Sequence, residues 1–201
     1  MSGRFIVIEG LDGSGGTTQV RLLSQALAAH ATREPTDGPI GKLIRKALAD
    51  PMFVGDGVLP YLFAADRKDH LERVIEPKLS GDVDVVSDRY YHSSLAYQSL
   101  AMPLDQVMSL NADFRAPDLC IFLDLDVPSC MLRIEARGLA RDRFETKRQL
   151  EEISAQYGVV LAMLKQRGDR ILMLDAADSI PSIQKQILAA VKGLPAVEGL
   201  K

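Results

Sequence analysis

The 201-residue chain has only two cysteines, three histidines and no long apolar run. Each scarcity closes off a class of protein. Cys120 and Cys130 cannot form a disulfide framework, and neither has a cysteine or histidine neighbour at zinc-ligand spacing. They read as reduced core thiols. His30, His70 and His92 are scattered and suggest no metal site, and no serine–histidine–acid order stands out. The opening "MSGRFIVIEG" is too briefly apolar for a secretory leader, and no segment approaches a membrane span, so the cytoplasm is the expected location. Repeats and low-complexity linkers are absent too. A net charge of −3 predicts no bulk attraction to nucleic acid or to an anionic membrane. Any anion bound here must be held by a local site, which suits a small phosphorylated ligand better than DNA. The most telling lack is one residue. "GLDGSGGTT", Gly10 to Thr18, follows the phosphate-loop pattern of glycine, four residues, glycine, lysine and Ser or Thr, except that Gly16 takes the lysine position.

What is present reads as alternating strands and helices. "RFIVIE" (Arg4 to Glu9), "VDVVSD" (Val83 to Asp88), "DLCIFLDLD" (Asp118 to Asp126) and "RILMLDA" (Arg170 to Ala176) are short apolar runs of the kind buried in parallel sheets. A further short strand is expected at His30 to Arg33, stopped by Pro35. Helical spacing covers Thr17 to Ala29, Ile40 to Asp50, Leu59 to Leu79, His92 to Ser99, Pro103 to Asn111, Pro128 to Arg137, Lys147 to Gln166 and Ile180 to Lys192. Pro60 is tolerated in a first turn. The fold class is therefore α/β: a parallel sheet of about five strands with helices on both faces. One unit is expected over 1–193, with a short lid at about 137–146 and a tail at 194–201. Ligands of such sheets bind at the carboxyl ends of the strands.

Several motifs converge on that end. A glycine loop between strand and helix turns successive backbone N–H groups inward, where they and the helix N-terminus attract phosphate. Thr17 could offer its hydroxyl to magnesium, and Asp88, closing a strand, could reach a magnesium-bound water or simply be a surface acid. In "DRYYHSSLAYQ" Arg89 suits a phosphate, and Ser93, Ser94, Tyr97 and Gln98 supply neutral donors and acceptors for a base and sugar. In "LFAADR" Phe63 and Arg67 share a helix face; Phe63 reads either as core or as a base-stacking ring. Arg137, Arg141 and Arg143 lie in a charged loop that is either a solvated turn or a lid closing on phosphates.

Taken together, "IEGLDGSG-TTQ", "TREP" (Thr32 to Pro35), "LFAADR", "DRYYHSSLAYQ", "PDLCIFLDLD" and "RDRFE" resemble the thymidylate kinases, in that family's order and across nearly the whole chain. The resemblance implies a P-loop NTPase-type fold with a short lid, and transfer of phosphate from ATP to dTMP with Mg²⁺. Gly10, Leu11, Asp12, Gly13, Ser14, Gly15, Gly16, Thr17 and Thr18 would hold ATP, and Thr17 and Asp88 would serve the metal. Phe63 would stack on thymine and Arg67 would contact the base. Ser94, Tyr97 and Gln98 would line the pocket, Arg33 and Glu34 would close its near wall, and Arg89 would hold the acceptor phosphate with Asp12 beside it. Gly13 in the loop and Arg141 and Arg143 in the lid resemble the bacterial type that carries its arginines in the lid. Family members are commonly homodimers packed through helices, and neither nucleic acid nor membrane is an implied partner. The departure is Gly16, because in the family a lysine there reaches the β- and γ-phosphates. Two other readings stay open: a lysine-less nucleotide-binding protein with little turnover, and a kinase for a different nucleotide.

Overall fold

The computed structural model describes residues 3–50, 52–136 and 146–194. The expected lid at 137–146 and tail at 194–201 therefore lie outside the described residues, apart from Thr146 and Leu194. Five strands form one parallel sheet: β1 Phe5–Gly10, β2 His30–Arg33, β3 Val85–Asp88, β4 Leu119–Asp124 and β5 Ile171–Asp175, in the order β2-β3-β1-β4-β5. Nine helices are described around them: α1 Gly16–Leu27, α2 Pro39–Ala49, α3 Leu59–His70, α4 Glu76–Ser80, α5 Tyr91–Tyr97, α6 Leu104–Leu110, α7 Val127–Ala136, α8 Lys147–Gln166 and α9 Ile180–Lys192.

All six residues of β1 are buried, because a strand with neighbours on both edges and helices on both faces meets no water. Its side chains alternate between two cores. Ile6 and Ile8 join Val20, Leu23, Ile183 and Ile187 on one face, while Phe5 and Val7 join Ile75, Leu79, Val107 and Val160 on the other. The chain leaves β1 toward β2 and β3 on one side and crosses to β4 and β5 on the other. The exit of β1 is thus a topological switch point, where open parallel sheets bind ligands. Register aligns the carboxyl ends there: Ile8 pairs with Asp88, Arg33 with Asp88, and Gly10 with Leu123.

The helix expected over Leu59 to Leu79 is a single path with an interruption. A π-helical turn, Leu71–Ile75, joins α3 to α4, and the N–H of Glu76 donates to the carbonyl of Leu71. Pro77 has no N–H, and its ring crowds the carbonyl four residues back, so the turn before it widens instead of closing. Strand ends also differ by a residue or two. Val83 and Asp84 precede β3, and Asp84 instead pairs with Arg4. Among the described residues no helix is long and apolar enough to cross a membrane.

Candidate active site

The glycine loop runs from the end of β1 into α1. Its glycines are set by close approach. Gly13 has φ +88°, and a Cβ there would stand 2.6 Å from the carbonyl oxygen of Cys130, so no L side chain fits without moving α7. At Gly16 a Cβ would instead meet Asp88 Oδ1 at 3.2 Å. Thr17 Oγ1 donates to Asp88 Oδ2 at 2.7 Å, so hydroxyl and carboxylate stand together beside the loop. Both are hard oxygen donors, the type magnesium takes from a protein while keeping water and phosphate for its other positions. Among the described residues no cluster of three or more His, Cys, Asp or Glu could hold an ion by itself.

Two cavities meet at this point. One, of about 320 Å³, is lined by the loop from Glu9 to Thr18 together with Arg33, Glu34, Asp88, Arg89 and Arg133. The other, of about 140 Å³, is lined by Asp12, Glu34, Pro35, Leu48, Phe63, Arg67, Arg89, Tyr90, Ser93, Ser94, Tyr97 and Gln98. Asp12, Glu34 and Arg89 line both, so the two spaces share a wall. A larger cavity of about 900 Å³ follows the open edge of β2 and touches this region only at Thr17, Arg33 and Asp88. Size alone would have pointed to that edge; the converging polar groups are in the smaller pair.

Arg89 sits at the shared wall. Its backbone is left-handed, φ +70°, a conformation that costs a non-glycine residue about 1–2 kcal/mol. Every polar backbone group of the turn is held. Arg89 N–H donates to Ile8 O at 2.9 Å, Ser87 Oγ donates to Arg89 O at 2.8 Å, and Tyr90 N–H donates to Glu9 Oε1 at 2.8 Å. The guanidinium donates to Asp12 Oδ1 (2.8 Å), Ser93 Oγ (2.9 Å) and Tyr157 OH (3.3 Å), and it lies 5.1 Å from the centroid of the Tyr97 ring. Tyr97 OH donates to Asp12 Oδ2 at 3.1 Å.

Arg67 is fully buried at 1% exposure, yet it lines the smaller cavity. Nε donates to Glu34 Oε2 at 2.9 Å, Nη2 pairs with the same oxygen at 2.7 Å and donates to Ser94 Oγ at 3.0 Å, and Nη1 donates to Asn111 Oδ1. Glu34 Oε1 is 3.0 Å from His70 Nδ1, whose Nε2 meets Thr32 Oγ1 at 2.6 Å. The carboxylate thus ties the end of β2 to α3. Gln98 Oε1 is buried and has no hydrogen-bond partner, an acceptor left over among the residues that line this cavity.

The structure brings Asp12, Glu34, Phe63, Arg67, Arg89, Ser94, Tyr97 and Gln98 around one cavity. Arg33 goes elsewhere: it lines the loop cavity, is 58% exposed and pairs with Asp37 at 2.8 Å. Arg141 and Arg143 lie outside the described residues. Four participants were not singled out from the sequence. Arg133 on α7 donates to Gly13 O (3.4 Å) and Ser14 O (3.3 Å) and, through Nη2, to Ala176 O (3.0 Å), placing a positive charge against the loop. In the sequence it falls inside the expected helix Pro128 to Arg137 and belongs to no motif. His70 and Tyr157 carried no local motif, and Glu9 read only as the end of a strand.

Comparison with known proteins agrees with this geometry. The family model for thymidylate kinase matches residues 8–187. The chain is 36% identical over 203 residues to a probable thymidylate kinase of Pyrococcus horikoshii, covering 96% of this chain and 97% of that one. It is 37% identical over 196 residues to the thymidylate kinase of Xanthomonas oryzae pv. oryzae, covering 94% and 83%. The solved structure of the Candida albicans thymidylate kinase superposes with a TM-score of 0.84 at 25% identity, over 95% of this chain and 92% of that one. With the glycine loop at the switch point of the sheet and a matching model over almost all of its length, the chain belongs to the thymidylate kinase family.

Proposed function

We propose that this chain transfers the γ-phosphoryl group of ATP to dTMP, giving dTDP and ADP, with dTMP in the smaller cavity and the ATP phosphates in the loop cavity. The observation that carries the reading is the shared wall: Asp12, Glu34 and Arg89 belong to both spaces, so a phosphate in one faces a phosphate in the other. The attacking atom is an oxygen of the acceptor's own phosphate, which is ionised at neutral pH, so no protein base is needed. Catalysis then consists of positioning and charge compensation. The loop amides and the N-terminus of α1 bind the donor phosphates. Arg89 orients the acceptor phosphate, Phe63 packs on thymine, and Gln98 Oε1 accepts from the base N3–H. Thr17 and Asp88 would hold Mg²⁺, which when bound supplies positive charge to the bridging phosphates.

Gly16 removes one cation from this scheme. Loss of a single preorganised donor to developing charge costs about 2.7–4 kcal/mol, roughly 10²–10³ in rate. Set against kinase turnover of roughly 1–100 s⁻¹, an uncompensated loss leaves on the order of 10⁻³–1 s⁻¹. We assign the compensation to lid arginines Arg141 and Arg143, with Arg133 beside the loop. The steric block at Gly13 supports this lid-arginine assignment, since an arginine inside the loop has no room there. ATP and dTMP as substrates support a cytoplasmic site of action.

The test is dTMP-dependent ADP release with ATP and Mg²⁺. Turnover that needs dTMP is expected. Calorimetric binding of dTMP and ATP without any ADP, even at high enzyme concentration, would replace this reading with that of a nucleotide-binding protein. Competition among dTMP, dUMP, dCMP and thymidine settles the acceptor, and preference for another nucleotide would overturn dTMP.

A further inference from the structure

Glu9, the penultimate residue of β1, is 1% exposed; it lines the loop cavity but has been given no role toward donor or acceptor above. Its carboxylate accepts four hydrogen bonds: from Tyr90 N–H (2.8 Å) and Ser93 N–H (3.2 Å) on Oε1, and from Ser93 Oγ (2.6 Å) and Tyr157 OH (3.0 Å) on Oε2. The two hydroxyls it engages are the two that Arg89 Nη1 also reaches, at 2.9 and 3.3 Å.

With Glu9 ionised beside the Arg89 guanidinium, counting protons fixes the direction of the bonds in this cluster. A guanidinium only donates, so both hydroxyl oxygens accept from Arg89. Each hydroxyl has one hydrogen, and the carboxylate takes both, leaving none for the 2.9 Å approach between Ser93 Oγ and Tyr157 OH. The hydroxyls are thereby locked with their lone pairs toward Arg89. On its other side the same carboxylate holds the backbone N–H of Tyr90, which follows the left-handed residue.

We propose that Glu9 is a positioning residue for the acceptor: its buried carboxylate orients the hydroxyls of Ser93 and Tyr157 and the Arg89 turn, and so holds the Arg89 guanidinium toward the acceptor phosphate. This rests on the reading of Arg89 as the acceptor-phosphate residue. Burial raises the Glu9 carboxyl above its ordinary value, opposed by Arg89 and by the bonds from Ser93, Tyr157 and Tyr90 N–H. The geometry alone explains why a carboxylate is required. A glutamine at position 9 must direct its amide N–H₂ either at two backbone N–H groups or at two hydroxyls already facing a guanidinium. The first sets donor against donor, and the second forces both hydroxyls to turn their hydrogens away from position 9, which breaks the arrangement that faces Arg89.

The experiment compares dTMP with thymidine, which lacks the phosphate. In Glu9→Gln, calorimetric affinity for dTMP is expected to fall roughly ten- to a hundredfold. Thymidine affinity and the KM for ATP should stay within about twofold. A purely structural Glu9 would weaken dTMP and thymidine alike, and that result overturns the proposal. So does a dTMP affinity within about twofold of the parent. Arg89→Ala, run alongside, separates the two claims: if it alone loses dTMP, the acceptor reading stands and the Glu9 role falls. If Arg89→Ala binds dTMP normally, the acceptor reading itself fails. Should Glu9→Gln not fold, Tyr157→Phe keeps the carboxylate and deletes one relay. A smaller loss confined to dTMP supports the proposal, and equal loss for thymidine, or none, overturns it.

Discussion

A single missing side chain leaves a measurable space at Gly16. A Cβ there would sit 3.2 Å from Asp88 Oδ1, close enough that the carboxylate must give by a few tenths of an ångström, and Thr17 holds that carboxylate from its other oxygen. Gly16→Lys is therefore expected to raise dTMP-dependent turnover, toward the lower end of the roughly 10²–10³-fold that one donor supplies. A turnover unchanged by the lysine would mean that the charge is already provided in full. Phe63 lines the smaller cavity, where dTMP is proposed to bind, and aromatic stacking on a base is worth about 1–3 kcal/mol. Phe63→Ala should raise the KM for dTMP by roughly tenfold and leave that for ATP alone. An unchanged dTMP KM would return Phe63 to the core. Residues with a local signature were legible at this scale: the loop glycines, Asp88 and Arg89 stand in short quoted motifs. Glu9 and Tyr157, 148 positions apart, meet only through the fold, and no spacing within either segment announces the contact.

Between elements, one buried link is the pair of Glu34 and Arg67, each side chain at most 2% exposed. It fastens the end of β2 to α3, with His70 and Ser94 completing the bonds. Removing one partner of a buried pair leaves an uncompensated charge and costs about 3–5 kcal/mol. Arg67→Ala should lower the melting temperature by roughly 6–20 °C in a domain of this size. A drop of a degree or two would show that water or His70 takes over the charge. Element order was readable because buried parallel strands have no alternation and amphipathic helices do. The short strand His30–Arg33 appeared as expected, since Pro35 cannot extend it. The π turn was not read. Pro77 marks where the helix is disturbed, but whether the chain kinks, ends or widens depends on packing around Ile75 and Leu79, both buried.

For the whole molecule, His92 predicts an acid response. It is buried with both ring nitrogens unpartnered, stacked on Tyr91 at 4.2 Å, and burial, helped by the charge of Arg67, lowers its pKa from 6.5 to about 3. Glu9 Oε1 is 3.8 Å from Nδ1. The folded state keeps this ring neutral while the unfolded chain protonates it, so stability from this group is intact above pH 6.5 and is lost progressively as pH falls toward 3. The slope is about 1.4 kcal/mol per pH unit. Denaturant unfolding at pH 7.5 and 5.5 should show this loss in the parent and a smaller one in His92→Phe; equal losses would assign the acid sensitivity to other groups. Assembly is also tested at this scale. Leu43, Met52, Val58 and Tyr61, on or between α2 and α3, are 38–92% exposed, and we propose these helices as the seam of a homodimer. Light scattering should give twice the chain mass, and Tyr61→Asp should halve it; a monomeric parent would rule the dimer out.

The bond from Arg89 to Asp12 bears on how long a product stays. Asp12 accepts from both Arg89 and Tyr97, so an acceptor phosphate held by Arg89, as proposed, would have to displace a resident carboxylate and would be displaced by it in turn. Under that proposal acceptor affinity would give up part of its electrostatic strength to the exchange. In return, dTDP would depart from an arginine that already has its next partner within reach, and a competitor tethered to the same loop would shorten the residence time of product.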